Sequence, residues 1–199
     1  SIRPGSRPML RKLCVIAAAA ALVAAPLPSL AQGKKDSVVM GMTLEPPGLD
    51  PTNAAAAAIA EVTLYNVYET LTKINEDGSV SPLLAESWQA SPDLKTYTFK
   101  LRKGIKFHNG EPFDSAAVKF SFDRAAAPTS TNKDKSLYQA FASVTAPDPE
   151  TVVVALKYSE PNLPFLLGQA TGSIVEPKSA PTDATQPVGT GPYMSLIPI

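Results

Sequence analysis

Residues 101–124 read LRKGIKFHNGEPFDSAAVKFSFDR. Leu101 closes an alternating run in which Tyr97, Phe99 and Leu101 are separated by Thr98, Lys100 and Arg102, and this predicts a half-buried strand over 96–102. Ile105 and Phe107 carry the apolar beat past Gly104. Asn109-Gly110 then supplies a tight turn. Asp114 is placed to cap a helix whose Val118, Phe122 and Ala125 share one face. Strand, turn and capped helix in direct succession point to a mixed α/β or α+β domain.

The same stretch holds the chain's single histidine, His108, beside Lys106, Asn109, Glu111 and Asp114. One histidine excludes zinc sites built on paired His. A catalytic triad needs an acid to orient the base and a nucleophile for it to serve, and no GxSxG elbow precedes a helix. Turn and cap chemistry accounts for the polar neighbours, so a structural role at a strand end is preferred. No catalytic residue, metal ligand or cofactor is assigned.

Working outward, Pro147-Asp148-Pro149 leads into a second strand, Thr151 to Lys157, and antiparallel pairing is expected. Ser37 to Thr43 is β-like and is stopped by the turn residues of 46–51. From Val62 the spacing of Leu64, Val67, Tyr68 and Leu71 predicts a helix. Residues 126–135 read as a polar loop, 161–167 as a short apolar piece and 172–188 as a Pro-punctuated connector. Gly189-Thr190-Gly191 lacks the Lys and following helix of a phosphate loop, and Pro192 marks it as a turn. Tyr65, Tyr68, Trp88, Tyr97, Phe99, Phe107, Phe120 and Phe122 are expected in the core. Tyr138, near the polar loop, is ligand-facing or on the surface.

At the other end, Met9 opens MLRKLCVIAAAAALVAAPLPSLAQG: two cations, an apolar run from Leu13 to Ala25, and small residues before Gln32. The run is shorter than the roughly 20 residues a membrane span needs. A secretory signal peptide over 9–31, cleaved after Ala31, is the expectation, with 1–8 an upstream extension. Cys14 lies within the leader, too early for a lipoprotein cysteine, so the exported part would carry no thiol, disulfide or Cys-based metal site. Losing Arg3, Arg7, Arg11 and Lys12 takes the basic count from 18 to 14 against 18 acids, a net charge of −4. Nothing in that balance suits a nucleic-acid partner.

Three stretches in order resemble the peptide/nickel class of solute-binding proteins serving bacterial ABC importers, the family 5 extracellular solute-binding proteins. They are Tyr68-Glu69-Thr70-Leu71 leading to Asp77 through Trp88; Ser91 to Arg102 running through Gly104 to Asp114; and Val188-Gly189-Thr190-Gly191-Pro192-Tyr193. The resemblance covers about Ser37 to Tyr193. It implies a two-lobed periplasmic protein, a monomer, that closes on a solute without covalent chemistry and docks on an ABC permease of the inner membrane. The implied organisation places 32–52 and 170–199 in an incomplete lobe I and 53–169 in an extra subdomain on it. The loop entering the first helix and a position after the polar loop would face the cleft, here Ala58, Ile59, Ala60, Glu61, and Leu137 or Tyr138. The alanine-rich run 54–58 departs from members that place polar groups there. The residues after Tyr193 lack the strand the family shows at that point, and a frameshift or truncation before the second lobe is expected. Open edges would then give low protection over 38–52 and 170–193. The solute stays open among peptide, nickel chelate, opine and sugar. Two other functions also stay open: an exported hydrolase using His108, and a periplasmic chaperone-like module that binds peptides.

Overall fold

Alternation along the chain becomes a four-stranded antiparallel sheet. In the computed structural model, which describes residues 41–53 and 56–194, β1 (Thr72–Ile74) and β2 (Val80–Pro82) form a small hairpin. β3 (Ala85–Ala90), β4 (Thr96–Leu101), β5 (Phe141–Asp148) and β6 (Thr151–Leu156) make the main sheet in the order β3-β4-β6-β5. The helices are α1 (Ala57–Thr63), α2 (Ser115–Ala126), α3 (Lys135–Gln139) and α4 (Leu163–Leu166), with a 3-10 turn at Ala170–Gly172. All of these elements belong to one unit, Met42–Ile199. The leader at 9–31, the extension 1–8, positions 37–40 of the first expected strand and the tail 195–199 lie outside the described residues.

Register decides which side of the sheet is buried. Trp88 lies opposite Phe99, Phe99 opposite Val152, and Val154 between Tyr97 and Val144, so the aromatic and β-branched residues line one face. α2 covers that face with Val118, Phe122 and Ala125, and Leu84, Phe107, Phe113, Leu163 and Leu167 complete the core. Each large apolar side chain buried there contributes about 1.5–3 kcal/mol. A second, smaller cluster gathers Val67, Tyr68, Val175 and Ala180, with Phe120 of α2 packed against it.

α2 starts where its cap was expected. Asp114 has extended backbone and its Oδ1 accepts from the Ala117 amide at 3.0 Å, satisfying one of the free N–H groups of the first turn. Asp114→Ala should therefore cost about 1 kcal/mol while Asp114→Asn costs much less. Urea denaturation of both variants checks this, and equal losses would show that charge rather than capping matters.

The helix expected from Val62 is corrected. α1 occupies the alanine-rich 57–63 instead and ends at Leu64, which is extended. Tyr65 then takes a left-handed φ of 61°, and the Tyr65 amide donates back to the Tyr68 carbonyl at 2.8 Å. Val67, Tyr68 and Leu71 are buried as the periodic spacing suggested, but in an irregular bridge that docks on two clusters. Residues 41–43 form no strand. β5, α3 and the β1–β2 hairpin were not expected. Short runs with exposed residues carry little periodic signal.

Residues 173–193 form no regular element, yet they are firmly joined to the rest. The Ile174 amide donates to Glu69 O at 2.9 Å, Val175 to Ser121 Oγ at 3.1 Å, Gly191 to Val67 O at 2.9 Å and Tyr193 to Asn66 O at 3.0 Å.

Candidate functional site

α1 exists because alanine is the best helix former and no Gly or Pro interrupts 57–63. Its last turn is closed by side chains: Thr63 Oγ1 donates to Ile59 O at 2.7 Å and Asn66 Nδ2 to Val62 O at 3.0 Å. Beside its start lies a cavity of about 80 Å³ whose walls include Pro51, Ala56, Ala57, Ala60, Lys133 and Thr171. The walls are small and apolar except for one hydroxyl and one ammonium. None of the ion pairs among the described residues uses Lys133.

The cavity's walls are held from behind. Asp50 Oδ1 accepts from the Thr52 amide at 2.9 Å and its hydroxyl at 2.6 Å, folding a turn around Pro51. Arg124 of α2 fixes that turn: its guanidinium donates to Asp50 Oδ2 at 2.6 Å and to Thr52 Oγ1 at 2.5 Å. Thr131 Oγ1 donates to Asn53 Oδ1 at 2.8 Å on the same stretch. On the opposite wall, Thr171 donates through Oγ1 to Asp134 Oδ2 at 2.6 Å, and its carbonyl accepts from Asn132 Nδ2 and Tyr138 Oη, both at 3.0 Å.

The six residues predicted to face solute divide accordingly. Ala60 lines the cavity. Ala58 and Ile59 turn into the core, and Glu61 is exposed one residue past the wall. Leu137 is half-buried against the main core. Tyr138 is only 1% exposed, which corrects its reading as a surface residue. Its ring packs on Phe122 and Phe141 with centroids 5.6 and 5.5 Å away. Burial, with the Asp134 charge adding to it, pushes the phenol up. Tyr138 thus buttresses Thr171 from within the core. Pro51, Lys133 and Thr171 were missed. Lys133 sits in the polar 131–135 loop, where composition gives no sign that a side chain faces a cavity.

A second, wider concavity of about 670 Å³ runs beside the β1–β2 hairpin past Tyr65, Lys73, Asn75 and Asp77. Most of its polar groups are already engaged, Glu76 excepted. Tyr65 Oη donates to Gly168 O and accepts from the Ile74 amide, Asp77 holds Ser79, and Lys73 sits 5.4 Å over the Tyr65 ring. The small cavity, with its uncommitted ammonium, is the better candidate.

His108 is fully occupied with backbone. Its Nδ1 accepts from the Gly189 amide at 3.3 Å, which leaves Nε2 to donate to Gly191 O at 2.7 Å; this tautomer follows from the two contacts. The His108 amide also donates to Gly189 O at 3.0 Å. Neither ring nitrogen is left to activate a nucleophile. Among the described residues, no group of three His, Cys, Asp or Glu side chains is arranged to hold a metal ion, and no helix is long and apolar enough to cross a membrane.

The module thus combines an antiparallel sheet with one covered face, a bridge at 64–68 and a Gly-Thr-Gly-Pro return clipped by His108. The model of the bacterial extracellular solute-binding proteins, family 5 middle, matches residues 79–195, and the chain belongs to that family. It is similar to the glutathione-binding protein GsiB of Shigella dysenteriae serotype 1 (strain Sd197), 35% identical over 176 residues, 86% of this chain and 34% of that one. Among solved structures, AgaA from A. tumefaciens R10 in complex with agropinic acid superposes with a TM-score of 0.70 at 31% identity, over 75% of this chain and 31% of that one. DppA from Helicobacter pylori in complex with the peptide STSA gives 0.67 at 28%, over 75% and 34%. The chain thus spans about a third of the length of these relatives.

Proposed function

We propose that this chain is the part of an ABC-importer substrate-binding protein that contributes one wall of the solute cleft. The solute is a small peptide or peptide-like molecule bearing a carboxylate. The observation that carries this reading is the cavity at the start of α1, where Lys133 is the only cation among small apolar walls. An ammonium there is a point charge suited to a carboxylate, and alanine walls leave room for ligand backbone. The relatives named above agree in chemistry: glutathione, agropinic acid and a tetrapeptide all carry carboxylates. Capture is non-covalent and takes place in the periplasm after export. The protein acts as a monomer that delivers its solute to an inner-membrane permease. Release and uptake follow from differential affinity of open and closed states.

Titrating glutathione into the ¹⁵N-labelled chain should move the amide signals of Ala56 to Ala60, Lys133 and Thr171 in a saturable way. Lys133→Glu should weaken that binding tenfold or more, about 1.4 kcal/mol, while Lys133→Arg keeps most of it. Shifts scattered over the surface, or a Lys133→Glu variant that binds as well as the parent, would overturn the assignment.

A further inference from the structure

The 49–53 loop, α2 and the 176–188 segment meet around one cation and two carboxylates. Arg124 is the cation. Besides Asp50 and Thr52, it reaches the Ala180 carbonyl at 3.4 Å. Asp183, wholly buried, is the second acid. Its Oδ1 accepts from Ser179 Oγ at 3.1 Å and from the Val188 amide at 3.4 Å. Its Oδ2 has no partner among the described residues, and neither has the buried hydroxyl of Tyr68 beside it. The two groups are near enough to feel each other's charge but are not aligned as a regular hydrogen bond. Arg124 is committed to Asp50, so Asp183 is left as a surplus charge next to the cluster of Val67, Tyr68, Val175 and Ala180. A buried carboxylate oxygen without a donor is costly.

We infer that Asp183 is a proton-operated latch on the 176–191 segment. One proton taken from mildly acidic solvent onto Oδ2 cancels the surplus charge. The Asp183–Tyr68 contact is then made between two neutral groups with no buried net charge, so the segment is held more firmly. Loss of the proton restores the buried surplus charge and loosens the segment.

The surrounding groups fit this role. Burial, and then the Asp50 charge, push the Asp183 carboxyl up to about 6, against the opposing pull of Ser179, the Val188 amide and Arg124. Tyr68 is driven upward by burial and by Asp183 and Asp50, and so stays a neutral phenol. Glu176, on the same segment, is already satisfied by the amides of Lys178 and Ser179 at 3.1 and 2.8 Å. The His108 ring is turned to Gly189 and Gly191. The folded value lies above the ordinary 3.8. The stabilising effect of protonation is therefore fully present below that value and is lost as pH rises through about 6.

Urea unfolding of the full chain and of its Asp183→Asn variant from about pH 4 to about pH 8 tests the latch. The ratio of their unfolding constants, parent over variant, should rise roughly a hundredfold across that range and then level off. In the parent, the Asp183 carboxyl carbon should titrate with a midpoint above about 5, read by NMR without need of the variant. The amides of Val188 to Gly191 should gain exchange protection as pH falls below that midpoint. A midpoint below about 5, or a ratio flat with pH, overturns the inference.

Discussion

Arg124→Met is expected to lower the unfolding free energy by about 3 kcal/mol, the lower end for breaking a buried ion pair. The arginine side chain is 25% exposed but Asp50 is only 4% exposed, so the loss is set by the carboxylate left behind. That carboxylate would stand unpaired near Asp183, whose charge it already opposes. The unfolding midpoint in urea should drop at unchanged slope, and the thermal midpoint should fall by about 6–12 °C. Adding Asp50→Leu to Arg124→Met should recover much of the loss, because neither member of the pair is then left unmatched and the charge that opposes Asp183 is gone as well. A single variant that loses less than about 1 kcal/mol would show the pair to be a surface-type contact. The effect reaches the cavity too, since this guanidinium holds the turn that presents Pro51.

Gly189→Ala should be about as damaging for a different reason. A Cβ at 189 would stand 2.0 Å from the Val67 carbonyl oxygen, and one at 191 would stand 2.4 Å from Asn66 O. Both obstacles are backbone and cannot rotate away. Separation of the two strands of chain is therefore the expected response, at about 3 kcal/mol, the upper end for overpacking. Hydrogen exchange should show the Gly191 and Tyr193 amides, which donate to Val67 and Asn66, losing protection while β4 and β6 keep theirs. Gly78→Ala is a useful contrast: its φ is +81° but nothing lies within 4 Å of the added methyl, so only local turn strain applies. If Gly189→Ala and Gly78→Ala behave alike, close approach is not what the 189 position requires.

The residues that announced themselves were those with a local physical signature. Alternation at 96–101, the Asn109-Gly110 pair with Gly110 at φ +87°, and the cap at Asp114 all act within a few residues and all appear where expected. The 64–71 spacing failed as a helix because burial there is two-sided: Val67 and Tyr68 face the small cluster and Leu71 the main core. Such a segment satisfies helical periodicity without helical backbone. The site was less legible still. Its walls come from 51, 56, 57, 60, 133 and 170–171, which are brought together by tertiary contacts no window spans. Ala60 was found through the family resemblance, and Lys133 only through the fold. His108, conspicuous as the one histidine, turns out to satisfy the Gly189 and Gly191 backbone.

The seam between 66–69 and 189–193 also carries information about time. Thr190 and Glu69 meet at 2.7 Å across 121 residues of sequence, whereas the β5–β6 hairpin closes over Asp148 and Thr151. Loop-closure entropy disfavours the distant contact until nearer ones have formed. As the chain emerges from the export channel, the sheet and α2 can be complete while the seam has no partner to receive, because residue 193 has not yet arrived. Val67 and Tyr68 would wait exposed during that interval. The stretch 64–68 is thus where an emerging chain is open to chaperones or to a neighbouring copy, and docking of the Gly-Thr-Gly-Pro return ends that exposure.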